Sequence, residues 1–96
     1  MPTYIILGKY TTQGIQNIKQ GPQRVDAARQ AISAAGGKMD FYLTMGQYDF
    51  VAVTEAADDE AFTRALLAVA SSGNVSTETL KAFPEADYRR IIAALP

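Results

Sequence analysis

A chain of 96 residues has room for one domain built around one hydrophobic core. Its apolar fraction of 48% is that of an ordinary globular protein, and nine basic against ten acidic residues leave no basic footprint for nucleic acid. Cysteine and histidine are both absent, which excludes disulfides, thiolate or imidazole zinc sites, histidine-ligated haem, a Ser-His-Asp triad and a cysteine nucleophile.

Thr3 to Tyr10 is β-rich and nearly continuous in apolar character, as expected of a strand covered on both faces. Thr11, Thr12 and Gly14 break it, and Gln13 to Gln20 reads as a short helical turn. Pro22 suits the first turn of a helix running to about Ala35, with Val25, Ala28, Ile32 and Ala35 on one apolar stripe. Gly36-Gly37 stops it.

Lys38 to Glu55 reads as a hairpin turning at Gly46-Gln47-Tyr48-Asp49. Met39, Phe41, Leu43 and Met45 share one face of its first strand, while Asp40, Tyr42 and Thr44 share the other. In its second strand Phe50, Val51, Ala52 and Val53 are apolar on both sides, which predicts a central position in the sheet. Asp58-Asp59-Glu60 opens a second long helix with a cap and favourable charge, and Phe62, Leu66, Val69 and Ala70 form its inward stripe. Ser72-Gly73-Asn74 ends that helix, and Val75 to Phe83 reads as the last strand. Pro84 starts a final helix, predicted to pack Tyr88, Ile91, Ile92 and Leu95 inward.

The order is β-α-β-β-α-β plus a C-terminal helix, which predicts an α+β, ferredoxin-like domain over residues 1–96. Right-handed crossovers place both long helices on one face of the sheet. The other face must then carry an apolar set from each inner strand, more than soluble monomers normally expose. A homodimer or higher homo-oligomer, with sheets meeting face to face, follows as the expectation. Met1 to Tyr4 lacks a basic signal-peptide n-region, and no apolar run reaches the length of a membrane span. The expected setting is cytoplasmic, with neither membrane nor nucleic acid as a partner. The acids follow no metal-loop pattern, and Gly36-Gly37-Lys38 lacks the rest of a phosphate loop, so no metal and no cofactor are expected.

Tyr48 and Asp49 offer a hydroxyl and a carboxylate to a ligand at the mouth of a dimer cavity. Equally, Gly46 can supply a turn conformation while Asp49 bonds turn backbone groups. Tyr42 and Thr44 are a second candidate pair for a small organic ligand, joined by Tyr4 and Tyr10 if their strand presents the matching face. The alternative is that buried tyrosines simply pack and find hydrogen-bond partners. Arg24, Arg29 and Lys38 could counter an anion, although charges spaced along a helix are usually a solvated face. No set of residues forms a catalytic constellation. The expected function is a homo-oligomeric small-molecule-binding or assembly module. The alternative is a small cofactor-independent oxygenase or isomerase using Tyr42, Tyr48 or Asp49 as acid–base groups.

Tyr42-Leu43-Thr44-Met45-Gly46-Gln47-Tyr48-Asp49, with Phe50-Val51-Ala52-Val53 and Asp58-Asp59-Glu60 after it, resembles the GYD-domain family of small bacterial proteins. Tyr4-Ile5-Ile6-Leu7, Thr12-Gln13-Gly14-Ile15, Arg24-Val25-Asp26-Ala27-Ala28 and Gly73-Asn74-Val75 extend the resemblance along essentially the whole chain. It implies a dimeric ferredoxin-like α/β barrel and brings neither an established activity nor catalytic residues. The hairpin is also similar to one in the effector-binding domains of Lrp/AsnC-type regulators, which bind small molecules between subunits. Cofactor-independent monooxygenases of the antibiotic-biosynthesis type share the barrel, a likeness of fold alone.

Overall fold

Strand β1 (Thr3–Tyr10) occupies the middle of the sheet and pairs antiparallel with a neighbour on each side, β3 (Phe50–Glu55) and β4 (Val75–Ala82). Strand β2 (Lys38–Leu43) adds to the outer edge of β3, giving the order β2-β3-β1-β4. The computed structural model describes residues Met1–Pro96. Each βαβ unit is split by a strand of the other, so the domain is ferredoxin-like, as its order of elements predicts. Between β1 and β2 the chain forms α1 (Thr12–Gln16), a 3-10 turn (Ile18–Gln20) and α2 (Gly21–Ala34). Helix α3 (Asp59–Ala70) joins β3 to β4, and α4 (Glu85–Ala93) follows β4.

The helix ends are built from the residues that propensity nominates. Asp58 caps α3 by accepting from the Ala61 N–H at 2.8 Å, with Asp59 and Glu60 in the first turn. Pro22 lies in the first turn of α2, and Gly36 leaves that helix with φ +82, a conformation that glycine adopts without strain.

Register sorts the strands into two faces. Toward α2 and α3 the cross-strand rows read Met39-Thr54-Tyr4-Lys81, then Phe41-Ala52-Ile6-Thr79, then Leu43-Phe50-Gly8-Thr77. Tyr4, Ile6, Met39, Phe50 and Ala52 are buried there with Ile32 of α2 and Phe62 of α3. Gly8 makes room for a neighbour: a Cβ on it would lie 2.0 Å from Cζ of Phe50, whose ring crosses the glycine. Tyr10 and Phe41 flank that ring at 5.5 and 5.4 Å between centroids.

No helix covers the opposite face, and only Tyr48 of the hairpin tip reaches onto its corner, at Glu78 and Lys9. Its rows are Lys38-Glu55-Thr3-Ala82, then Asp40-Val53-Ile5-Leu80, then Tyr42-Val51-Leu7-Glu78. Both inner strands are thus apolar on both sides, as expected, and the uncovered side carries Ile5, Leu7, Val51 and Val53.

Burial departs from the apolar pattern at two places, and at the second it corrects an expectation. Leu43 and Met45 share the face of Met39 and Phe41 by alternation, yet both are exposed, Met45 fully, because no helix reaches over the hairpin tip. Helix α4 does not pack Tyr88, Ile91, Ile92 and Leu95 inward: all are exposed and the helix stands off the domain. Phe83-Pro84 leaves an edge strand in extended geometry, φ −55 and ψ 159 at Pro84, while α2 and α3 already cover the helix side. A helix of nine residues is marginal alone, even with the Glu85–Arg89 and Asp87–Arg90 pairs along it. Gly8→Ala should cost about 2 kcal/mol in urea unfolding by overpacking against Phe50. Pairing it with Phe50→Leu should recover part of that loss, a non-additivity that Gly8→Ala alone on a tolerant site would not show.

Candidate functional site

Helices α2 and α3 face one another through alanines. Ala27, Ala28 and Ala31 of α2 and Ala65 and Ala68 of α3 are too small to fill the space above the sheet, leaving a cleft of about 340 Å³. Its floor is the ring group Tyr10, Phe50 and Phe41, and its far end is Ile32, Met39 and Ala52. An apolar cleft of this volume falls in the range of small-molecule sites.

The other end is polar. Arg24, Ser72, Asn74 and Thr77 line it beside Tyr10. Two loops are latched together there. The Thr11 N–H donates to the Asn74 carbonyl at 3.1 Å, the Thr11 hydroxyl to the Gly73 carbonyl at 2.7 Å, and the Gln13 amide to Ser72 and Asn74, each at 3.0 Å. Gly14 permits the approach, since a Cβ on it would sit 2.0 Å from the Asn74 carbonyl oxygen. Arg24 donates to the Asn17 and Gly14 carbonyls at 3.0 and 3.2 Å, which pins its guanidinium to this end of the cleft. It takes part in none of the chain's ion pairs.

A second polar group lies on the same side of the sheet. The buried Tyr4 stacks on Phe62, centroids 3.9 Å apart, and its hydroxyl donates to Asp59, which also accepts from the Lys81 ammonium at 3.0 and 3.1 Å. Burial, then the hydrogen bond to Asp59, then the charges of Asp59 and Asp58 push the Tyr4 phenol up to about 12. Asp59 is held below its ordinary value by the Tyr4 hydrogen bond first and by Lys81 second.

The structure distributes the sequence candidates over three places. Tyr4 and Tyr10 point to the helix side, and only Tyr10 lines the cleft. Tyr42 belongs to the uncovered face, because β1 presents its tyrosines to the opposite side from Tyr42. Thr44, Tyr48 and Asp49 build the hairpin tip. The Thr44 hydroxyl donates to the Tyr48 carbonyl at 2.7 Å, and Asp49 accepts from the Tyr10 N–H at 2.9 Å while its own N–H donates to Gly8 at 2.8 Å. Tyr48 donates to Glu78 at 2.7 Å, with Lys9 over its ring. That bond, ahead of burial and the Glu78 charge, raises the Tyr48 phenol, away from the lowered value an acid catalyst needs. Gly46, at φ +138, supplies the turn.

The cleft itself escaped the sequence reading. Of its alanines only Ala28 falls on a stripe that periodicity marks, and only the pairing of α2 with α3 sets small against small. Gly8 carried the one available signal, since an isolated glycine in a strand marks close approach of a neighbour.

Against this geometry, the profile of the GYD domain matches residues 4–92. The chain belongs to the GYD family. A protein of Thermus thermophilus named "Glutamine synthetase and cystathionine beta-lyase binding protein" is 39% identical to this GYD-domain protein over 89 residues, 91% of this chain and 94% of the relative. The crystal structure of TTHA0845, also from Thermus thermophilus, superposes with a TM-score of 0.56 at 28% identity, covering 88% of this chain and 95% of that one. The Arabidopsis thaliana protein At3g17210 shares the fold alone, at 7% identity and a TM-score of 0.66, with 88% and 95% covered. So does a Thermobifida fusca protein described as dimeric and ferredoxin-like, at 18% identity and a TM-score of 0.53, with 84% and 90% covered. No helix of the GYD-domain protein is long and apolar enough to cross a membrane.

The Tyr4–Asp59 pair makes stability pH-dependent at both extremes. Because the folded Tyr4 keeps its proton above the ordinary value of 10.0, its contribution is complete below that pH and is lost as pH rises toward about 12. Asp59, depressed in the fold, contributes above its ordinary value of 3.8 and loses that contribution as pH falls. Urea midpoints of wild type and Tyr4→Phe should therefore converge at high pH; parallel curves would refute the coupling.

Proposed function

We propose that this GYD-domain protein is a homodimeric binding module in which two sheets meet face to face and each subunit holds a small organic ligand in its cleft. The observation that carries this reading is the uncovered sheet face, where Ile5, Leu7, Val51, Val53 and Leu80 lie side by side. Around them run Lys9, Lys38, Asp40, Glu55 and Glu78, the apolar centre and polar rim of a protein interface. Four strands at ~4.8 Å spacing and about six residues at ~3.3 Å give a face of roughly 400 Å² in projection. Standard interfaces bury about 800 Å² of accessible surface per partner; a corrugated side-chain surface exposes more than its projection, and the unclaimed stripe of α4 and Tyr42 add to it.

The ligand site of this reading is the cleft between helices and sheet, with Tyr10 its contribution from the sequence candidates. Docking onto an enzyme extends the role outward, a proposal supported by the 39% identical Thermus relative named for binding two enzymes.

Light scattering at micromolar concentration should give the mass of two chains. Val53→Lys, at an already exposed position, should give one chain with an unchanged far-ultraviolet dichroism spectrum. A wild-type monomer would overturn the dimer.

A further inference from the structure

We infer that the cleft takes an amphipathic carboxylate, an apolar chain or ring whose single carboxylate pairs with Arg24, an inference that rests on the cleft being the ligand site. The cleft is polarised along its length. Ile32, Met39 and Ala52 close one end without a charged group, and Arg24 stands at the other as its one charged lining residue. Along most of their length such walls offer an apolar body favourable burial and a sugar or a polyol few partners, which lie only at the Arg24 end.

Arg24 is prepared for an anion. The carbonyls of Asn17 and Gly14 take one N–H from each terminal nitrogen and fix the plane of the guanidinium. Carbonyls orient it without neutralising it, and no carboxylate of the chain is paired with it. Its remaining N–H groups can meet a planar carboxylate, whose geometry matches the guanidinium fork better than a point charge would. The residue is half-buried, so the pairing is less screened than on an open surface. Ser72 and Asn74, held by the loop latch, add polar groups at the same end. An amine in that position would meet a fixed like charge.

Calorimetric titration with decanoate and with 1-decanol, both below their aggregation concentrations, separates charge from apolar body. Wild type should bind decanoate about tenfold more tightly than decanol. Arg24→Gln should lower decanoate affinity to that of decanol for the same variant, and Arg24→Lys should retain part of the difference. Ala65→Phe, which fills the cleft from α3 rather than from the helix that carries Arg24, should abolish binding of both. Equal affinity of the two probes for wild type, or a decanoate preference that survives in Arg24→Gln, overturns the carboxylate assignment and leaves the cleft as a site. Binding of neither probe overturns the cleft reading and the inference with it. Should Arg24→Gln fail to fold for want of its carbonyl contacts, the wild-type comparison and Arg24→Lys decide.

Discussion

Everything in this domain hangs on the antiparallel pairing of β1 with both β3 and β4. A strand flanked on each side has no free edge, so its side chains can go only up or down. Because β1 and β3 are apolar in both directions, two surfaces call for removal from water. One is covered by α2 and α3, whose packing produces the core and the cleft together. The other is what the proposed partner would cover, and α4, with no seat on its own domain, extends the same demand.

The cleft follows from a balance between two kinds of packing. Aromatic rings fill the sheet surface, with Phe50 lying across Gly8 and flanked by Tyr10 and Phe41. Above them the facing alanines bring the helices together without filling the gap. The loop latch from Thr11 and Gln13 to Ser72–Asn74 then holds one end of the space in register with Arg24. Rigidity there comes from backbone and short side chains, which pre-organises the polar end before any ligand arrives.

Much of the fold was legible because it depends on local pattern. The near-continuous apolar run of β1, the glycines after α2, the acids opening α3 and the doubly apolar β3 each identify an element and its place. The bare apolar face was legible for the same reason, since period and composition alone require it. The site was less so. Tyr4 and Tyr42 look alike in a list of tyrosines, but antiparallel register sends them to opposite faces. Tyr48 and Asp49 look chemically available, but Glu78 of β4 takes the Tyr48 hydroxyl and the backbone of β1 takes the Asp49 carboxylate. Arg24 resembled one of several solvated helix charges until the carbonyls of Gly14 and Asn17 drew it to the cleft. Helix α4 has the stripe of an inward-packing helix, and pattern alone does not say whose interior it seeks.

The two-residue period of β1 has one more consequence. Its even-numbered positions belong to the folding of one chain and its odd-numbered positions, in the proposed dimer, to the meeting of two. The strand thus carries two messages distinguished only by parity. Inserting a single residue before Ile5 would exchange them downstream, turning Ile5 and Leu7 toward the helices and Ile6 and Gly8 outward. Drift at neighbouring positions is therefore judged by different criteria, monomer integrity at one and companionship at the next.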